Sequence, residues 1–500
     1  MSLLRFRKRQ IIVGVVLLAA LAAIASGVVH LSGSLANKSV PEHSHAWAEL
    51  ASRFQGGRIG VMCSSADVFD SVDRARLIAI SWACSPHSPL AIDFSDVACW
   101  PQVIISSAFL STLDRRRIHD SGYNEVASNE FAIAWTNAGV VPIDSPAKVS
   151  PLRESIGVVV VLSVMLTLWA WWRRSNGAFP SKWAIWCAAI VFAMLSTVTL
   201  THTLTSPNGL GVYAGKAKLF LVSGGIPRGF FTLPEYAIYQ PSYPPGLTLV
   251  ALLAYVASWA CGDWLVQLIV PFALSLLFLE LADCTSRLIA LAVALAMALV
   301  PVAIKMAGGF YAEPLAALML TMGLHRVWRQ GDWAGWLMAG TAGLFRHECI
   351  VLVVALWVAE KLLGAGAKWR YLAVAAAFTL AWESFACFAG AKVYDFDFCS
   401  LPAVRRVLLA LAAAFSWKAV VAVAVLCAVG GRRCAHVAVA SLLFLLASAL
   451  LASFNITPHF EWFLANTMPR VAWLAVVPLA ARAIFENMQK QQTKGNKVES

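Results

Sequence analysis

The sequence predicts an all-α polytopic membrane protein of about a dozen transmembrane helices, with a small extracytoplasmic α/β insert. Three observations predict this class. The 500-residue chain is 59% hydrophobic and 13% charged, whereas soluble domains carry about 25% charged residues. Apolar runs of about 20 residues, long enough to cross a bilayer core, recur along it. Basic residues cluster at the ends of these runs, which is typical of cytoplasmic loops.

The net charge of +12 is therefore attributed to membrane topology, and nucleic acid is not an expected partner. Membrane lipids are expected partners. The eleven cysteines show no metal-ligand spacing. Three of them, Cys63, Cys84 and Cys99, lie in a long polar segment. Outside the cytoplasm two of the three can pair, and the sequence does not say which two.

The first two predicted regions are a membrane anchor and an exported domain. Residues 1–33 form a basic start and a first transmembrane helix, with the N-terminus in the cytoplasm. Residues 34–150 form the α/β insert, because strand-like stretches at 58–62 and 77–82 alternate with a helix-compatible stretch at 111–119.

The multi-helix membrane domain is predicted over 151–486, followed by a cytoplasmic tail at 487–500. The segment 202–243 falls outside. Basic residues near 325–329 require one preceding stretch not to span, and 244–260 is the choice. The other apolar runs are 155–172, 183–201, 264–281, 288–306, 312–327, 371–391, 403–431, 436–454 and 471–486, with a turn at 345–348. We expect the bacterial inner membrane, with both termini cytoplasmic.

Several ionisable residues fall on the outer side of this topology. Ionisable groups at membrane depth are costly, and usually pair or serve function. We therefore expect these groups to share one polar cavity, although chance placement at helix ends is the alternative. The residues are Lys216, Lys218, Glu313, Arg346, His347, Glu348 and Arg470.

Each of these groups has a functional and a structural interpretation. Lys216 and Lys218 suit a phosphate site, or extend to lipid head groups. Glu313 is a functional carboxylate, or complements a helix dipole beside Pro314. Arg346 to Glu348 line a site, or form a local ion pair in a turn. Arg470 binds a ligand, or anchors a helix start next to Pro469. Three aromatic residues, Tyr239, Tyr243 and Trp462, are typical of an interfacial belt.

The order of these motifs resembles GT-C-type membrane glycosyltransferases, over roughly residues 200–480. A bacterial subgroup has a first-loop motif D-A-L-x-x-W-x-x-K-A-K, then H-P-D-Y-P, an acidic helix start, K-N-E-G and a late arginine. The corresponding stretches here are 208–218 (NGLGVYAGKAK), 240–244 (QPSYP), 311–314 (YAEP), 346–349 (RHEC) and 466–470 (NTMPR).

This resemblance implies transfer of a sugar from a polyprenyl-phosphate donor to an extracytoplasmic glycan or lipid acceptor. The phosphate and substrate contacts would come from Lys216, Lys218, Tyr243, Arg346, His347, Glu348 and Arg470. In the class, a first-loop aspartate acts as base or helps to hold a metal. No cofactor is certain, and a divalent metal is compatible with the class.

Two departures bear on catalysis. Asn208 stands where the first-loop aspartate is expected, and a carboxamide is no general base near neutral pH. Ser242 replaces the second acid. Either Glu235 or Glu313 then supplies the base, Glu313 being the better candidate, or the protein binds without turnover. The competing functions are a transporter or flippase for a lipid-linked sugar, and a non-catalytic scaffold. No sequence repeat supports a repeat-built transporter.

Overall fold

The computed structural model of the chain describes residues of the insert and most of the membrane domain. The described residues are 58–62, 88–91, 102–106, 112–120, 122–128, 132–137, 151–175, 180–201, 208–233, 236, 239–258, 266–282, 295, 300–362, 368–391, 401–430, 432–455 and 460–495. The predicted first transmembrane helix, the stretch 77–82, Glu235 and the three cysteines of the insert lie outside them.

The described residues between 58 and 137, within the predicted insert, form one mixed β-sheet and one helix. The strand order is β2-β1-β3-β5-β4; β1 runs parallel to β2 and β3, and β5 runs antiparallel to β3 and β4. The predicted strand at 58–62 and helix near 111–119 are both present, whereas the domain boundaries at 34 and 150 stay predictions. The elements are β1 (Arg58–Met62), β2 (Ser88–Ala91), β3 (Gln102–Ser106), α1 (Thr112–Asp120), β4 (Tyr123–Ser128) and β5 (Ala132–Asn137).

The membrane domain is helical, as its apolar runs predict. Its α-helices are α2 (Pro151–Ser175), α3 (Lys182–Thr201), α4 (Lys216–Val222), α5 (Gly246–Ser258), α6 (Ile269–Ala282), α7 (Pro301–Gly308), α8 (Glu313–Gln330), α9 (Trp333–Gly340), α10 (Cys349–Leu362), α11 (Trp369–Phe388), α12 (Val404–Ala414), α13 (Trp417–Gly430), α14 (Arg432–Ser453) and α15 (Phe460–Gly495). A π-helical segment, Asn208–Gly215, leads directly into α4.

Five helices of the described chain are long and apolar enough to cross a membrane. They differ in how much protein surrounds them: 94% of the stretch in α15 is buried, but only 22% of that in α11. Helix α15 is thus a central helix and α11 a peripheral one. The predicted dozen crossings stay a prediction, and α5 is, as expected, shorter than a span. The five stretches are Ser155–Arg174, Lys182–Leu200, Trp369–Phe388, Cys434–Ser453 and Phe463–Glu486.

Two predicted boundaries are wrong. The run 403–431 forms two helices, α12 and α13, which break at Phe415; Ser416 then precedes α13, and serine is a favoured N-cap residue. Pro469 does not mark a helix start, because α15 begins at Phe460 and carries this proline inside. The same helix continues to Gly495, while its stretch suited to cross a membrane ends at Glu486.

Helix α8 lies at the centre of the packing that holds the polar residues. It contacts α6, α9 and α15. A Cβ atom at Gly323 would lie 2.4 Å from the backbone nitrogen of Ala339, so only glycine permits this close approach of α8 to α9. Gly331, at φ 66°, ends α8, and the Asp332 side chain caps α9 by accepting from the Gly335 N–H. The close packing at Gly323 and the turn at Gly331 and Asp332 fix the orientation of α8, whose first residue is Glu313.

Candidate functional site

Two arginines distant in sequence meet at one carboxylate oxygen. Glu313, the first residue of α8, receives Arg470 Nη1 at 2.8 Å and Arg346 Nη1 at 3.4 Å on its Oε1 atom. All three side chains are buried. We call the group formed by Tyr243, Glu313, Arg346, Glu348 and Arg470 the arginine site.

Helix α15 and its surroundings fix the position of Arg470. Its Nε donates to the carbonyl of Asn466 at 2.8 Å, one turn earlier. Its guanidinium lies 4.0 Å from the ring centroid of Tyr311, within the range of a cation–π contact. Of the two interpretations of Arg470, this favours a ligand-binding residue over an interfacial anchor, because the side chain points into the protein and is 2% exposed.

Arg346 joins the turn before α10 to the loop before α5. It donates to the Tyr243 hydroxyl and, through Nη2 at 2.7 Å, to Glu348. Burial opposes ionisation of Glu348, but the charges of Arg346 and His347 outweigh it and lower the pKa of this carboxyl to about 2. The predicted local ion pair therefore exists, and Arg346 extends it to Glu313. His347 is more exposed, with Nε2 3.6 Å from Glu348.

Lys216 lies on the far side of Tyr243. Its ammonium donates to the carbonyls of Gln240 at 2.9 Å and Tyr243 at 3.4 Å, and no carboxylate of the described chain pairs with it. Burial lowers the pKa of Lys216 to about 7. Lys216 and Lys218 are each 1% exposed, so both lie inside the protein, not at lipid head groups. Lys216 thus contacts the backbone of Tyr243, whereas Arg346 contacts the hydroxyl of the same residue.

The backbone beside the site is strained at two positions. Gln240, at φ 43°, and Phe310, at φ 53°, are the non-glycine residues of the described chain with positive φ. Such conformations are costly and persist where the surrounding structure requires them, often at functional sites. Here Lys216 and Trp382, which donates to the Ser242 carbonyl at 3.1 Å, hold the first strained loop in place.

Several buried oxygens around the arginine site have no hydrogen-bond partner among the described residues. They are Tyr213 Oη, Glu313 Oε2, Glu348 Oε2 and Glu383 Oε1. Buried polar atoms are rarely left unpaired, because doing so costs the full desolvation penalty. These oxygens are free to hydrogen-bond a polar ligand.

Two of these residues were not predicted from the sequence. Glu383 on α11 lies within electrostatic range of His347 and Glu348, and its signal was a lone acid inside an apolar run. Tyr213 lies edge-on to Tyr243, with ring centroids 6.1 Å apart. It stands at the tryptophan position of the first-loop motif.

The remaining predicted groups are less defined. Asn208 begins the π-helical segment, but its side chain, like that of Trp462, is outside the described residues. Tyr239 is buried inside the protein and thus does not belong to an interfacial belt. Within the described ranges, no three His, Cys, Asp or Glu side chains are grouped to hold a metal, so a divalent metal stays a prediction.

A second buried ionic group lies at the other end of α8. Glu280 receives Arg173 Nη1 at 3.3 Å and His325 Nδ1 at 3.1 Å on Oε2, and Trp169 Nε1 at 2.8 Å on Oε1. We call these four residues the Glu280 cluster. It was not predicted, because His325 lies in the basic stretch near 325–329, which was used only to assign the membrane topology.

The described chain is mostly helical, with five helices long and apolar enough to cross a membrane, and it contains a buried polar centre with unpaired oxygens. No protein-family model, curated protein or solved structure matches the chain. The GT-C assignment therefore stays a resemblance of motifs.

Proposed function

We propose that this chain is a membrane glycosyltransferase of the GT-C type, which moves a sugar from a polyprenyl-phosphate donor to an extracytoplasmic acceptor. The observation that carries the proposal is the convergence of Arg346 and Arg470 on one oxygen of Glu313, beside buried oxygens without partners. Paired arginines suit a phosphate, and unpaired carboxylate and hydroxyl oxygens suit the hydroxyls of a sugar.

The arginines retain hydrogen-bonding capacity for a ligand. A guanidinium has five N–H donors. Polar groups of the described chain engage three on Arg346 and three on Arg470. Two N–H groups therefore remain on each arginine to bind phosphate oxygens. Donors fixed in this way stabilise charge that develops on a leaving group without reorganising.

In the proposed transfer, the acceptor hydroxyl oxygen forms a bond to the anomeric carbon of the sugar. The bond from that carbon to the phosphate oxygen breaks, and its electron pair stays on the lipid phosphate beside Arg346 and Arg470. Glu313 Oε2, which has no partner among the described residues, takes the proton of the acceptor hydroxyl. Asn208 cannot take it, but an asparagine there can still hydrogen-bond a sugar.

A transfer assay with three variants tests this assignment. We expect Glu313→Gln to abolish transfer by the full-length protein, because the amide oxygen is no base, and Asn208→Ala only to weaken it. The control is Glu461→Gln, which changes an exposed carboxylate. Robust transfer by Glu313→Gln would refute the role of Glu313 as base. A wild-type protein that binds the donor without any turnover would instead be a non-catalytic binder.

We also propose that the arginine site faces the outside of a bacterial inner membrane, with both termini in the cytoplasm. The distribution of lysine and arginine supports this orientation. A reporter cysteine at Ser223, which lies just after α4, should react with an impermeant thiol reagent added to whole cells. One at Gln330, the last residue of α8, should not. The reverse pattern would overturn the orientation.

A further inference from the structure

Near the arginine site, the hydroxyl of Tyr213 is a buried polar group whose role the proposed mechanism does not explain. The side chain is 1% exposed, and its hydroxyl is its one polar atom. That hydroxyl has no hydrogen-bond partner in the described part of the chain. A buried hydroxyl costs free energy unless it is paired, so a tyrosine here is unfavourable compared with phenylalanine unless a ligand completes it.

The position of Tyr213 is well fixed. Its ring packs edge-on against Tyr243, whose own hydroxyl receives Arg346. It belongs to the π-helical segment Asn208–Gly215, and Gly209 in that segment packs so closely on the carbonyl of Gly309 that a Cβ atom would lie 2.3 Å from this oxygen. The ring thus has little freedom to turn its hydroxyl elsewhere.

The electrostatic environment places Tyr213 beside the arginine pair. Burial is the main cause that raises the pKa of Tyr213; Tyr243 and Glu313 act in the same direction, while Arg346 and Arg470 oppose them. The phenol therefore stays neutral and protonated, and it can both donate and accept a hydrogen bond. This property matches a hydroxyl group of a ligand, which also does both.

We propose that Tyr213 is a sugar-binding residue of the arginine site, and that its hydroxyl bonds a hydroxyl of the sugar attached to the bound phosphate. The inference rests on the proposed function. In a sugar phosphate the sugar is covalently joined to the phosphate, so a group next to the phosphate-binding arginines meets the sugar. None of the motif positions predicted this role, since the first-loop motif carries a tryptophan there.

Tyr213→Phe tests the inference, because it removes only the hydroxyl. The full-length protein in detergent would be titrated with a polyprenyl phosphate that carries a hexose and with the same polyprenyl phosphate without sugar. We expect the variant to bind the sugar-bearing lipid about three- to tenfold more weakly, the loss of one hydrogen bond, and the sugar-free lipid equally well. Its thermal stability should stay equal or rise, because an unpaired buried hydroxyl is removed.

The matched control is Tyr255→Phe, which alters another buried tyrosine, on α5, whose side chain has interactions of its own. It should leave the binding of both lipids unchanged. Equal weakening of both lipids by Tyr213→Phe would assign the hydroxyl to the phosphate and overturn the inference, as would unchanged binding of both. A wild-type protein that does not bind the sugar-bearing lipid would overturn the proposed function as well.

Discussion

The arginine site and the Glu280 cluster are built on the same helix and differ in how completely their carboxylates are paired. Glu313 and His325 lie twelve residues apart on α8, which corresponds to about 18 Å along a helix. Both oxygens of Glu280 have partners within 3.3 Å. Glu313 offers one paired oxygen and one unpaired oxygen.

This difference separates a structural ion pair from a binding site. A buried charge is tolerated when hydrogen bonds and an opposite charge compensate its desolvation. The carboxylate of Glu280 meets this condition with groups of the protein. The arginine site leaves compensation incomplete around Glu313, Glu348 and Tyr213, and a ligand can complete it. A buried carboxylate with both oxygens paired therefore fits a structural role, whereas one with an unpaired oxygen beside two arginines fits a binding site.

Among the variants that test this comparison, we expect Glu280→Gln to have the largest effect, a loss of stability. Glu280→Gln removes the carboxylate that Arg173 contacts, and removing one partner of a buried pair costs about 3–5 kcal/mol. Unfolding of the full-length protein in detergent should show this loss. The matched change Glu313→Gln should cost less, because Arg346 keeps Glu348 and Arg470 keeps its contacts with Asn466, Thr467 and Tyr311. A larger loss for Glu313→Gln would reverse the roles of the two groups.

An effect that depends on pH should come from Lys216, which, unlike Arg173, has no carboxylate partner in the described chain. Burial lowers its folded-state pKa to about 7, below the ordinary value of 10.5. Between these values the unfolded chain binds more protons than the folded one, so stability rises with pH across this window. It levels off below about pH 7, where the folded amine is protonated as well. One proton contributes at most about 1.4 kcal/mol per pH unit.

Lys216→Met should remove that slope, as measured by thermal unfolding from pH 7 to 10. The control is Lys361→Met, which changes an exposed lysine in the last turn of α10. If the wild type and Lys216→Met have the same dependence on pH, burial does not lower the pKa of Lys216 in the folded protein.

Local patterns in the sequence were sufficient for much of the fold. The apolar run 312–327 coincides with α8, and the basic and polar turn at 345–348 separates the short helix α9 from α10. The run 403–431 was not resolved into two helices, because hydrophobicity stays high across Phe415. Pro469 misled the assignment of α15, since tertiary packing keeps a proline inside this buried helix.

The sequence predicted which residues belong to the site but not which of them contact one another. Glu313, Arg346 and Arg470 were identified because charges in apolar surroundings are costly. Their partners depend on packing between residues up to 157 positions apart, which periodicity and charge do not encode. For the same reason the Tyr213 hydroxyl was missed, because only the three-dimensional structure shows that it is buried beside the arginines.

Binding of a polyprenyl phosphate to the full-length protein tests the central claim most directly. The Arg346→Ala variant should bind about 10- to 100-fold more weakly, because it loses charged hydrogen bonds that contribute about 1.5–3 kcal/mol. Arg173→Ala should lower stability but leave the affinity of the folded molecules unchanged. Equal affinity of the wild type and Arg346→Ala, or a greater loss in Arg173→Ala, would contradict the assignment of the arginine site to a lipid phosphate.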